Sequence, residues 1–182
     1  MNAKYSFRLE SREKRHPLPE RIIIAQEDTD TIEHVMLKML SYVLFYRERL
    51  EMNINLHQDS IPFKPDLVQL NYELRPILWV ECGGCNVGKL DKLAVKVPDA
   101  EIWVVKKSVD DVEQLVRAMA KEELRRNRYH LIGLDGEVFG ELCGLLGSRN
   151  DFTWVGGGLE AGELQFDFNG LWFDAPFTKL NF

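Results

Sequence analysis

The segment from Lys64 to Val105 constrains the fold more than any other, because it sets two strands, a tight connection and a helix in fixed order. Lys64-Pro65-Asp66-Leu67-Val68-Gln69-Leu70-Asn71 and Pro76-Ile77-Leu78-Trp79-Val80-Glu81-Cys82 read as strands over Asp66 to Asn71 and Ile77 to Cys82, joined across Tyr72-Glu73-Leu74-Arg75. Cys82-Gly83-Gly84-Cys85-Asn86 then turns the chain sharply with two permissive glycines. Asn86 can cap a helix over Val87 to Val97, which Pro98 ends, and a strand follows at Glu101 to Val105. With a strand at Leu50 to Ile54 the order is β-β-β-α-β.

Around this segment the chain opens with strand-like runs at Tyr5 to Leu9 and Arg21 to Ala25, separated by a basic, proline-containing loop. Ile32, Val35, Met36, Met39, Leu40, Val43 and Leu44 repeat at the three-four spacing of a helix packed on a sheet, over Asp30 to Tyr46 with Asp30 as N-cap. A second long helix is expected from Val109 to Asn127, a strand at Tyr129 to Leu134 and a shorter helix at Glu137 to Leu146. Thereafter the chain reads as strand, with Glu163 to Phe168 joined to Leu171 to Asp174 by an Asn169-Gly170 type I′ turn. Gly156-Gly157-Gly158 reads as a flexible turn, since no helix signal follows it and no P-loop Lys-Ser/Thr accompanies it.

At 182 residues the chain has the length of one domain that buries a core without disulfide help. No linker, repeat or low-complexity run divides it, so one domain over residues 1–182 is expected. No apolar stretch approaches a membrane span and the amino terminus has no apolar signal core. Three cysteines, an odd number, suit a reducing compartment, and the expected location is the cytoplasm. The net charge of −6 argues against a protein that coats nucleic acid over its whole surface, while leaving room for a local basic cleft. Nothing in the sequence sets the oligomeric state.

If the central pair of strands is symmetric about the Glu73/Leu74 junction, Asp66 lies directly opposite Glu81. Residues so opposed have Cα atoms about 4.5–5.5 Å apart and project to one face, so the two carboxylates would converge. Like charges at that distance need a counter-charge. A hard cation supplies one, since Mg²⁺ takes carboxylate oxygens at about 2.0–2.1 Å. A solvated hairpin end, or neutralisation by Lys64 or Arg75, supplies another. Lys89, Lys92 and Lys96 form one stripe on the helix that starts just beyond Glu81, where the early lysines can overhang the acids.

Pro65-Asp66, Glu81-Cys82-Gly83 and Lys92 together resemble the active-site pattern of the PD-(D/E)XK nuclease superfamily. More narrowly, the chain resembles the YaeQ family, through Tyr5-Ser6-Phe7-Arg8-Leu9, Glu33-His34-Val35-Met36-Leu37-Lys38-Met39-Leu40, Tyr46-Arg47-Glu48-Arg49-Leu50 and the Asp66 to Lys92 core. The resemblance implies an α/β (α+β) fold: a restriction-endonuclease-like mixed sheet flanked by helices, with an additional C-terminal β-hairpin. It implies a Mg²⁺- or Mn²⁺-dependent nuclease, with Asp66 and Glu81 as metal ligands and nucleic acid as partner. Gly83 stands where the superfamily places its lysine, two positions after the second acid. Members whose lysine has moved to the next helix make Lys92 the first candidate and Lys89 the second. Glu33 fits the acid that the first helix often contributes, and Asp30-x-x-Glu33 also reads as a capping box. The alternative reading is a non-catalytic module on the same scaffold, binding nucleic acid or a protein; Gly83 and the acidic charge favour it.

Cys82-x-x-Cys85 has zinc-ligand spacing, but no second pair completes a four-ligand site, and Cys82 is expected to point from the opposite strand face into the core. His16, His34, His57 and His130 are scattered and read as ordinary surface or interface residues. The absence of G-x-S-x-G and G-x-G-x-x-G motifs removes the commonest hydrolase and dehydrogenase readings.

Overall fold

The computed structural model describes residues 2–182. Its strands are β1 (Lys4–Ser11), β2 (Arg21–Ala25), β3 (Leu50–Met52), β4 (Leu67–Leu70), β5 (Pro76–Cys82), β6 (Glu101–Lys106), β7 (Tyr129–Leu134), β8 (Arg149–Gly158), β9 (Glu163–Phe168) and β10 (Leu171–Asn181). Its helices are α1 (Ile32–Phe45), α2 (Val87–Lys96), α3 (Val109–Lys121) and α4 (Gly136–Leu145). All ten strands form one mixed sheet in the order β2-β1-β8-β9-β10-β7-β6-β5-β4-β3. The α/β class and most element positions agree with the sequence reading.

The C-terminal hairpin is not an addition to a finished sheet. β9 pairs with β8 and β10 with β7, so the hairpin joins the two halves of the sheet at its middle. Asn169 and Gly170 both take positive φ, as a type I′ turn requires, but β10 runs on to Asn181 instead of ending at Asp174. The three glycines are no free turn either: they end β8, opposite Gln165, Leu164 and Glu163. Gly157 has φ +94, and a Cβ there would fall 2.1 Å from the Glu163 carbonyl oxygen, so close strand approach explains the glycine. α3 stops at Lys121, six residues before the expected end at Asn127, because Glu123 takes a left-handed conformation and breaks the turn.

Side-chain alternation sorts the sheet into two faces. Leu67, Leu78, Val80 and Cys82 share a core with α1, whereas Val68, Trp79, Ile102 and Val104 share one with α2 and α3. α1 touches β5, β6 and both edge strands, so the sheet curls around it. Every residue of α1 from Val35 to Phe45 is therefore buried, including the polar Lys38 and Ser41. α2 and α3 are the crossovers of two parallel connections, β5 to β6 and β6 to β7, so both start at the carboxyl edge of the parallel strands.

Candidate functional site

Glu81, next to last in β5, follows Trp79 to the α2 side of the sheet. It is buried, and its Oε1 accepts a hydrogen bond from Trp79 Nε1 at 2.8 Å and meets Lys89 Nζ at 2.8 Å. Lys89 reaches it because the Asn86 side chain caps α2 by accepting from the Lys89 backbone N–H, which fixes that residue in the first turn. The Phe63 ring also lies 5.6 Å from the ammonium. Burial pushes the Glu81 carboxyl above the ordinary glutamate range, although Lys89 and Trp79 favour its charged form.

Asp66 precedes β4. The register Leu67↔Val80 and Val68↔Trp79 is the one expected from symmetry, and its next step sets Asp66 across from Glu81. The two carboxylates feel one another, Asp66 helping to raise Glu81, yet each takes its own set of partners. Outside the ladder, Asp66 is not held to the alternation of the strand. Its Oδ2 accepts from the Cys82 backbone N–H at 2.7 Å, while Oδ1 lies 3.2 Å from His34 Nε2 and 3.8 Å from Lys38 Nζ, both on α1. Each acid is thus neutralised separately, by helices on opposite faces, and Lys64 and Arg75 pair with Glu27 and Glu73 instead.

Asp30, just before the cap of α1, and His34 and Lys38 in its first two turns follow one another at four-residue spacing. Lys38 Nζ donates to Asp30 Oδ2 at 2.9 Å, and His34 Nδ1 lies 2.6 Å from Asp30 Oδ1. The Lys38 side chain is 1% exposed, so its charge is tolerated only through these partners. Burial opposes ionisation of Asp30, but Lys38, the Glu27 backbone N–H and His34 outweigh it and hold the carboxyl low. Burial likewise opposes the charged His34 ring, yet Asp66 and Asp30 raise its pKa above the ordinary histidine value. The sequence reading missed this cluster. Its signal was present, as Asp30, His34 and Lys38 spaced four apart leading into and along a largely apolar helix.

The expected cap of α1 is corrected. Thr31, not Asp30, caps α1, accepting from the His34 N–H, so the Asp30-x-x-Glu33 capping box does not form. Lys92 is exposed and makes no salt bridge among the described residues. It sits three residues beyond Lys89, about 4.5 Å further along the helix axis, while the strand end stays level with the first turn. Glu33 meets Lys107 Nζ at 3.1 Å, away from both acids' direct partners.

A cleft of about 820 Å³ opens at the carboxyl edge of β5 and β6, between the start of α1, the Gly83–Asn86 turn and α3. Its wall includes Glu33, His34, Cys82, Gly84, Lys106 and Lys107. Crevices at this edge of open α/β sheets are where such folds bind ligands. Cys82 points into the α1 core, as expected, with its thiol 3.3 Å from the Ser41 hydroxyl, and burial raises its pKa well above the usual range. Burial also lifts Cys85, to about 12, so neither thiol is poised as a nucleophile. His16 and His130 stack on Trp154 and Trp103, structural places for both.

Two hard carboxylates on opposed positions of adjacent strands have the chemistry that Mg²⁺ or Mn²⁺ accepts. Such ions keep several waters and take one or two protein carboxylates together with substrate phosphates. The Trp79 and Lys89 contacts both fall on Glu81 Oε1, which leaves Oε2 for another partner. Asp66 Oδ1 has only the looser His34 and Lys38 contacts to give up.

Residues 4–154 match the family model described as YaeQ protein. No curated protein matches the chain. The fold is that of the YaeQ protein from Xanthomonas axonopodis pv. citri, with a TM-score of 0.75 at 19% identity over 99% of this chain and 97% of that one. The YaeQ protein from Pseudomonas syringae gives a TM-score of 0.75 at 15% identity over 100% of this chain and 97% of that one. The family match spans most of the sequence, and the chain belongs to the YaeQ family.

Proposed function

We propose that this chain hydrolyses phosphodiester bonds of nucleic acid with the help of Mg²⁺ or Mn²⁺, on a restriction-endonuclease-like part of its sheet. Asp66 and Glu81 are the metal ligands in this reading, and Lys89 is the lysine of the pattern. The observation that supports it is the 2.8 Å contact between Lys89 and Glu81. With Gly83 at the usual lysine position, the helix supplies an ammonium to the same carboxylate. A bound divalent ion would supply Lewis acidity and a more acidic water. Lys89 is placed to orient an attacking water and to stabilise charge developing on the phosphate, work whose loss typically lowers a rate about 10²- to 10³-fold. Trp79 holds the Glu81 carboxylate in one rotamer, and the Cys82 N–H does the same for Asp66. Glu33, on the rim of the cleft, assists from α1.

A second reading, a non-catalytic module binding nucleic acid or a protein, is favoured by one observation: Asp66 already has His34 and Lys38 of α1 as counter-charges. Metal-dependent cleavage of single- and double-stranded DNA and RNA, with Asp66→Asn and Glu81→Gln beside the wild type, separates the two. Cleavage lost in both variants supports hydrolysis. Metal binding without cleavage of any substrate supports the module.

A further inference from the structure

We infer that the cleft at the carboxyl edge of β5 and β6 takes a single nucleic-acid strand and excludes a duplex. The inference rests on the reading of this protein as one that acts on nucleic acid, and it names the form of substrate. The cleft adjoins the proposed centre through two of its lining residues. Cys82, on its wall, donates its N–H to Asp66, and His34, also on its wall, touches the same carboxylate.

Its size and lining point to one strand. A volume of about 820 Å³ lies in the range of small-molecule pockets and suits a short stretch of one strand. A duplex, whose major groove alone is about 12 Å wide, does not enter such a space. The largely buried Leu37 and Leu115 with the half-buried Ala118 form an aliphatic floor, and Lys107, with Lys106 whose Nζ donates to the Gly83 carbonyl at 2.6 Å, gives the cleft cations. Only an unpaired strand offers both a free base face for the first and a phosphate for the second; a duplex buries its base faces by stacking. Glu33 and Asp111 offset the two lysines, so the cleft carries no strong field to draw a duplex against its mouth. The Lys107–Glu33 pair is about half exposed on both sides, hence weak and exchangeable for a phosphate.

Gly84 adds an independent observation. It is exposed on the cleft wall, its φ is not left-handed, and a Cβ there would meet nothing within 4 Å. Neither backbone conformation nor packing asks for glycine at this position, unlike Gly83 with φ +80. The open space there lets a ligand approach the Gly83–Asn86 turn closely, which a larger side chain would hinder.

The test is anisotropy of labelled DNA and RNA oligonucleotides of about twelve nucleotides, single-stranded and duplex, in EDTA so that nothing is cut. Single strands should bind at least about tenfold more tightly than duplexes, with a log–log salt slope near −1.4 for two phosphate contacts. Gly84→Val and Lys107→Glu should each weaken single-strand binding about tenfold at unchanged melting temperature, while the charge-matched Lys179→Glu, exposed on β10 and outside the cleft lining, should bind as the wild type. Equal affinity for duplex, wild-type binding by both cleft variants, or no binding of any strand overturns the inference. Binding that follows this pattern without cleavage under any metal removes hydrolysis and leaves the inference standing. Glu81-dependent cleavage with Gly84→Val indistinguishable from wild type removes the inference alone.

Discussion

Lys89 Nζ meets Glu81 Oε1 at 2.8 Å across the gap between a helix and a buried strand, two residues beyond which Gly83 carries no side chain at all. The contact depends on chain direction. α2 leaves the sheet at the end of β5, so only its first turn remains level with Glu81, and Lys89 is the lysine in that turn.

Lys89→Ala should therefore lower any metal-dependent cleavage rate about 10²- to 10³-fold while leaving Mg²⁺ or Mn²⁺ affinity unchanged or slightly tighter, since an ammonium repels the cation. Asp66→Asn and Glu81→Gln should weaken metal binding, and Lys92→Ala should change neither quantity. Calorimetric metal titration beside a cleavage assay checks all four; unchanged metal binding in both amide variants would remove the site.

Glu81 is also a stability statement. Its folded pKa is raised, so the stability it contributes is present below the unfolded value of about 4.3 and is lost as pH rises through the folded value. Glu81→Gln should raise the melting temperature of metal-free protein at pH about 7, with the gain vanishing toward pH about 4. A variant that melts lower at neutral pH would contradict this.

His34 gives a second window. Because Asp66 and Asp30 raise its pKa in the fold, its stabilisation is complete below about pH 6.5 and fades as pH rises through the folded value. The melting-temperature difference between wild type and His34→Gln in EDTA should shrink from about pH 6 to about pH 9. Proton NMR of the ring should place its titration above that of a free histidine.

Lys38→Met should destabilise by roughly 3–5 kcal/mol, because Asp30, almost as buried, loses its counter-charge. Asp30→Asn combined with Lys38→Met should recover much of that loss. Urea unfolding of the two single variants and the double variant measures the coupling, and additive losses would show that the pair does not act as a unit.

Gly157→Ala should cost roughly 2–4 kcal/mol, from a left-handed backbone and a Cβ driven into the β9 backbone, whereas Gly84→Ala should stay within about 0.5 kcal/mol of wild type. Paired urea titrations compare them directly.

What the sequence determined by itself was local. The Leu67↔Val80 register, the Asn169-Gly170 turn, the Asn86 cap and the stripe of α1 each depend on neighbours within about twenty residues, where periodicity and turn chemistry decide the conformation. Tertiary structure decided the rest. The pairing of β1 with β8 sets Ser6 beside Arg149, and the C-terminal hairpin closes the middle of the sheet, because burying the apolar faces of both halves around α1 leaves that place for it. The same packing encloses Lys38, draws Asp66 toward α1 while Glu81 follows its strand toward α2, and so chooses which cation meets which acid. Sequence spacing places charges along an element, but only the packing of elements against one another sets the distances between them.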